Sequence, residues 1–123
     1  MLKLHDIIRA QQRLAPYIQP APLVRSPALS EISGADVWLK LENRQPTGSF
    51  KIRGALHKLL LLDDAARNRG VVTASAGNHG LGVAFAARAL GLNNVTIFVP
   101  ETTPTAVGSA VATHLNTTPP QTP

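Results

Sequence analysis

Leu4, Ile7, Ile8 and Leu14 recur at helical spacing among polar residues and Pro16 breaks the pattern, so the sequence predicts an amphipathic helix over residues 4–15. Pro20, Pro22 and Pro27 then impose an extended connection around Leu23 to Arg25. Ser26 is placed to cap a short helical turn from Pro27 to Ile32, which Gly34 ends. The run from Val37 to Glu42 closes on alternating apolar and polar side chains and is predicted as a strand, with a turn-forming stretch from Asn43 to Gly48 after it. From Ile52 onward, Ala55, Leu56, Leu59, Leu62 and Ala66 trace one apolar face, which predicts a single helix ending at Gly70.

Val71 to Ala74 and Val95 to Val99 are short β-branched runs of the kind that form buried strands. Between them Leu81 to Leu90 is apolar almost all round, with Arg88 its only charge, and should be a helix covered on more than one side. The order strand, helix, strand, helix, strand implies a parallel α/β sheet with right-handed crossovers. After Glu101 the last 22 residues contain no Asp, Glu, Lys or Arg. Val107, Val111 and Thr113 are β-branched and Gly108 is a poor helix residue, so residues 106–123 are expected to be mostly without fixed structure, with at most a weak helix from Ala106 to Leu115.

Composition narrows the function classes. In 123 residues there is no cysteine, which removes disulfides, thiolate metal sites and thiol nucleophiles and suits a reducing compartment. No apolar run reaches the length needed to span a bilayer, and the start MLKLHDIIRA carries Asp6 where a signal peptide would be apolar. The chain is therefore expected to be soluble and cytoplasmic. Twelve basic against seven acidic residues give a formal net charge of +5, but the Lys and Arg residues are scattered from Lys3 to Arg88 and the few aromatics form no stacking platform. Neither nucleic acid nor membrane is expected as a partner. His5, His57, His79 and His114 show no metal-ligand spacing, and His79 lacks the companions of a hydrolase triad, so no metal site is expected.

Two loops each follow a predicted strand and open a helix, which is where open α/β sheets bind ligands. The first runs from Glu42 to Lys51 and the second from Ser75 to Gly82. Lys51 stands at a helix start beside Phe50, where partial desolvation would disfavour the ammonium form and leave a nucleophilic amine. On the residues alone, an exposed surface charge is the other reading. Gly77, Gly80 and Gly82 would let the backbone approach a ligand closely, and N–H groups at the helix start would face an anion such as a carboxylate or phosphate. Their order, G-x-x-G-x-G, is not the dinucleotide fingerprint. A tight turn with no ligand is the alternative.

The stretch ENRQPTGSFKIRGA, from Glu42 to Ala55, resembles the pyridoxal-phosphate attachment segment of the serine/threonine dehydratases, which share the tryptophan synthase β-like fold. SAGNHG, from Ser75 to Gly80, resembles the second motif of that family at about the expected separation. The resemblance implies a truncated part of that three-layer α/β fold. The early strands near Leu23 and Val37 would belong to one sheet and those at Val71 and Val95 to another. It also implies roles. Lys51 matches the lysine that holds the cofactor covalently, is displaced by the substrate amine and then acts as base on Cα–H. Phe50 would pack beside the cofactor, and Asn78 would hydrogen-bond its ring hydroxyl. Ser75 and the backbone of Ala76, Gly77 and His79 would hold the substrate carboxylate.

The activity so implied is β-elimination from L-threonine or L-serine to a 2-oxo acid and ammonia, with racemization of serine as a related alternative. Full-length relatives would be homo-oligomers. The resemblance spans about Leu4 to Thr105, which makes residues 1–105 the N-terminal part of a dehydratase catalytic region and 106–123 a divergent tail. The family's glycine-rich phosphate loop and the polar residue facing the pyridine nitrogen have no counterpart here. We therefore expect a piece of a dehydratase whose reading frame departs near Ala106, incomplete as a catalyst by itself, with the apolar faces of both central helices partly exposed. The contrasting expectation is an inactive remnant that binds a full-length partner through those faces.

Overall fold

The computed structural model describes residues 1–115. Helix α1 (Leu4–Leu14) starts where the Asp6 carboxylate accepts from the Lys3 backbone N–H at 2.9 Å, placing a negative charge in the first turn. It is followed by β1 (Leu23–Arg25), α2 (Pro27–Ser33) and β2 (Trp38–Lys40). The Ser26 hydroxyl caps α2 and Gly34, at φ +69°, closes it. β1 and β2 pair antiparallel, with Val24 opposite Leu39. The Asp36 carboxylate ties the ends of this ribbon, accepting from Trp38 Nε1 at 3.0 Å and Arg25 Nε at 2.6 Å, and these two bonds hold its pKa below the ordinary value.

A 3-10 turn (Glu42–Arg44) leads to α3 (Lys51–Leu60), α4 (Asp64–Arg69), β3 (Val71–Ala74), α5 (Asn78–Ala89), β4 (Val95–Phe98) and α6 (Thr105–Leu115). β3 and β4 pair parallel, Val71 opposite Val95 and Ala74 opposite Phe98. Two sheets therefore exist among the described residues, as the family resemblance implies. The parallel alternation applies to β3, α5 and β4, while β2 belongs with β1. Three-residue strands carry too little pattern to announce their partner.

The core lies between α3 and α5, where Ile52, Leu56, Ala86 and Ala87 are fully buried and Leu14, Ile18 and Leu59 join them. The expectation that the faces of these two helices stay partly exposed is corrected where they cover each other, while Leu62, Ala66, Leu81, Phe85 and Leu90 remain only partly buried. The exposed apolar surface lies elsewhere, at Leu4 and Ile7 of α1, Trp38 of β2, Val72 of β3 and Phe98 of β4. The single helix expected from Ile52 to Gly70 is divided. Asp63 takes extended backbone geometry and its carboxylate accepts from Ala66 N–H at 2.7 Å, starting α4 afresh. Replacing Asp63 with Ala is expected to destabilise the protein by about 1 kcal/mol in urea unfolding. An unchanged midpoint would show that the cap contributes nothing.

The weak helix allowed from Ala106 to Leu115 is formed as α6, so the expectation of a mostly unstructured segment is corrected over that stretch. Packing of α6 on α5 buries Val111 and Ala112, and this offsets the weak local propensity. The rest of that expectation, residues 116–123, lies outside the described residues. No helix among the described residues is long and apolar enough to cross a membrane, and no group of three His, Asp or Glu among them is placed to hold a metal.

Candidate functional site

The segment leading into α3 is built from alternating buried and exposed residues. Gln45, Thr47 and Ser49 turn inward while Pro46, Gly48 and Phe50 face out. Gly48, at φ +69°, allows the turn in which its N–H donates to the Gln45 carbonyl at 2.8 Å. Gln45 Nε2 in turn donates to the Gln19 carbonyl at 3.3 Å. The Thr47 and Ser49 hydroxyls are buried with no hydrogen-bond partner among the described residues. At the end of this segment Lys51 opens α3. It is exposed rather than desolvated, with its ammonium 5.2 Å from the centroid of the Phe50 ring and no ion-pair partner among the described residues.

The second loop is organised by Ser75. Its backbone N–H donates to the Phe98 carbonyl at 2.9 Å, extending the β3–β4 ladder by one bond. Its hydroxyl oxygen accepts from Gly77 N–H at 3.2 Å and Gly80 N–H at 3.0 Å, and the hydroxyl donates to the Gly77 carbonyl at 3.4 Å. Ser75 and the Gly77 N–H are therefore engaged within the turn. The N–H groups of Ala76, Asn78 and His79 have no partner among the described residues, and the Asn78 and His79 side chains are exposed at the start of α5. Unpaired N–H groups at a helix start make a cradle for an anion.

Gly82 brings the two loops together. A Cβ built there would stand 3.2 Å from Lys51 C, Lys51 O and Ile52 N, so α5 meets the backbone of α3 directly. With a rise of 1.5 Å per residue, Asn78 lies about 6 Å along the axis from this contact. Gly80 similarly packs against Ser75 Cβ and Ile97 Cγ2, where its Cβ would stand 3.4 and 3.5 Å away. These two glycines are required for helix and sheet packing.

Behind α3 lies an ion pair that motif reading missed. Arg53 Nε donates to Glu42 Oε1 and Oε2 at 3.1 and 3.0 Å, and Lys40 Nζ stands 3.3 Å from Oε1. Burial works to raise the Glu42 pKa, but the hydrogen bonds and charges of Arg53 and Lys40 outweigh it and hold the group below its ordinary value. Opposite charges bracketing a turn-rich segment were the available signal. Lys40 and Arg53 also line a groove of about 460 Å³ under α1.

Comparison with known proteins places this arrangement. The family model described as pyridoxal-phosphate dependent enzyme matches residues 14–114. The chain belongs to that family. The match runs past Thr105, where the resemblance read from the sequence stops, and takes in nearly all of α6. L-threonine ammonia-lyase of Thermotoga maritima is 48% identical over 104 residues, which is 85% of this chain and 26% of that protein. The solved T.th. threonine deaminase is 38% identical with a TM-score of 0.81, covering 92% of this chain and 35% of its own. The serine racemase of Dictyostelium discoideum is 34% identical with a TM-score of 0.85, covering 92% of this chain and 36% of its own. The chain thus spans about a quarter to a third of these relatives, and its mixed α/β architecture is that of the tryptophan synthase β-like pyridoxal-phosphate enzymes.

The residues present fit the aldehyde and ring-hydroxyl end of a pyridoxal phosphate group. An exposed amine at Lys51, a carboxamide at Asn78 and free N–H groups at the start of α5 lie on two helices in direct backbone contact. The Thr47 and Ser49 hydroxyls in the segment leading to Lys51 are buried and unpartnered among the described residues.

Proposed function

We propose that this chain supplies the cofactor-linking lysine and the substrate-carboxylate cradle of a β-eliminating enzyme. It converts L-threonine or L-serine to a 2-oxo acid and ammonia. Pyridoxal phosphate, when bound, supplies the electron sink for breaking the Cα–H bond. Lys51 would hold the cofactor through Nζ and would serve as the base for the Cα proton. Asn78 would hydrogen-bond the ring hydroxyl and Phe50 would pack beside the ring. The N–H groups of Ala76, Asn78 and His79 hold the substrate carboxylate and so orient Cα–H, while Ser75 and Gly77 maintain the turn that presents them. The observation that carries this reading is the Gly82 contact, which packs the second turn of α5 on the backbone at Lys51, with Asn78 about 6 Å further along the α5 axis.

The choice of elimination rests on the 48% identity to a threonine ammonia-lyase, since among solved structures a threonine deaminase at 38% and a serine racemase at 36% are nearly level and both reactions begin with removal of the same proton. Threonine and serine differ by one methyl, worth about 1–3 kcal/mol in a pocket, so carboxylate contacts do not choose between them. We place the protein in the cytoplasm, where a cysteine-free chain is at home, and infer that full-length relatives are homo-oligomers.

Incubation with pyridoxal phosphate, borohydride reduction and peptide mapping tests the reading. The adduct is expected at Lys51 and is expected to disappear in Lys51→Ala. Labelling spread evenly over Lys3, Lys40 and Lys58 would sink it.

A further inference from the structure

Glu42 opens the 3-10 turn and Arg53 lies in the first turn of α3, so their ion pair closes the segment 43–52 that leads to and includes Lys51. The two side chains are 19% and 30% exposed, so the pair is withdrawn from water compared with the surface pair of Arg25 and Asp36 and is less screened by salt. At 100° per residue, Arg53 is turned roughly 200° from Lys51 around the helix axis. Arg53 therefore grips α3 from nearly the opposite side to Lys51, while Gly82 bears on the backbone at Lys51 and Ile52. Gln45 holds Gln19, and Gly48 holds Gln45, through neutral bonds that do not involve the pair. Removing a charge at Glu42 or Arg53 should thus free the rotation of the first turn and leave the segment folded.

We propose that Glu42 and Arg53 are positioning residues whose ion pair fixes the rotation of the first turn of α3, and with it the place at which Lys51 Nζ is presented to a pyridoxal carbonyl. The proposal rests on the reading that Lys51 carries the cofactor. Neither residue touches the reacting atoms. The bond is made by Arg53 Nε, close to where a lysine ammonium would sit at the same position, so Arg53→Lys is the natural rescue.

The test uses the intact chain and two measurements. Borohydride trapping of pyridoxal phosphate is quantified at Lys51 relative to Lys58, which lies on the same helix. Separately, lysines are reductively methylated with ¹³C-formaldehyde, and the Lys51 resonance, displaced by the Phe50 ring current, is followed by NMR. Glu42→Gln and Arg53→Gln are expected to lower the Lys51-to-Lys58 trapping ratio at least fivefold and to remove the displacement. Arg53→Lys is expected to return both to within twofold of the parent. Parent-like trapping in Glu42→Gln and Arg53→Gln overturns the proposal, as does an equal fall at Lys51 and Lys58, which marks loss of the helix. If the parent chain shows no selectivity for Lys51, the cofactor reading fails and the NMR arm decides. A displacement lost in the Gln variants and restored in Arg53→Lys supports positioning, and one that ignores the variants overturns it.

Discussion

Gly82→Val is expected to lower the unfolding free energy by about 3 kcal/mol, the upper part of the usual range for overpacking a well-filled interface. The Cβ alone would stand 3.2 Å from three backbone atoms of Lys51 and Ile52, and backbone cannot swing aside as the end of a long side chain can. Alanine at this position gains about 1 kcal/mol of helix propensity over glycine, yet still meets that contact. Valine adds two methyls to the same gap and forces α5 away from α3. Because the contact also sets the two loops against each other, selective trapping at Lys51 should fall with stability. Urea unfolding and adduct mapping on one preparation check both. A parent-like midpoint would show that the helices separate without cost.

Leu56→Ala is expected to cost about 3 kcal/mol, within the range for deleting most of a buried leucine, because the vacated volume lies where the surroundings are least able to collapse. Leu56 is fully buried on α3 among Leu14, Ile18, Ile52, Leu59, Ala86 and Ala87. Leu61, just past the end of α3, is 53% exposed, and Leu61→Ala should stay within about 0.5 kcal/mol of the parent. Chemical denaturation of the pair distinguishes a core from a surface leucine. Equal losses would mean that α3 does not face α5 as described.

The residues of the two loops were legible because turn chemistry is local. Gly48, Ser75 and the glycines of the second loop announce backbone geometry by their identity, and the family resemblance then attaches chemistry to Lys51 and Asn78. What stayed hidden depended on distant partners. Leu59, Leu62 and Ala66 continue a helical face across the break at Asp63, so periodicity joined α3 to α4, and only the cap shows that Asp63 accepts from Ala66 instead of continuing the helix. The pairing of β1 with β2 rests on three residues each, too few to distinguish one partner from another. Weak propensity in α6 was read correctly, but its burial against α5 is a tertiary fact. Glu42 and Arg53 were both within the quoted motif, yet only their separation in space shows that they act as a pair.

Ser75 is shared between two structures. Its amide closes the last bond from β3 to β4, and its hydroxyl holds the N–H groups of Gly77 and Gly80. Detaching β4 therefore removes a restraint on the residue that shapes the start of α5, so fraying of the sheet end and loosening of the anion cradle belong to one cooperative opening. The cradle thus depends in part on β4, although that strand contributes none of its N–H groups.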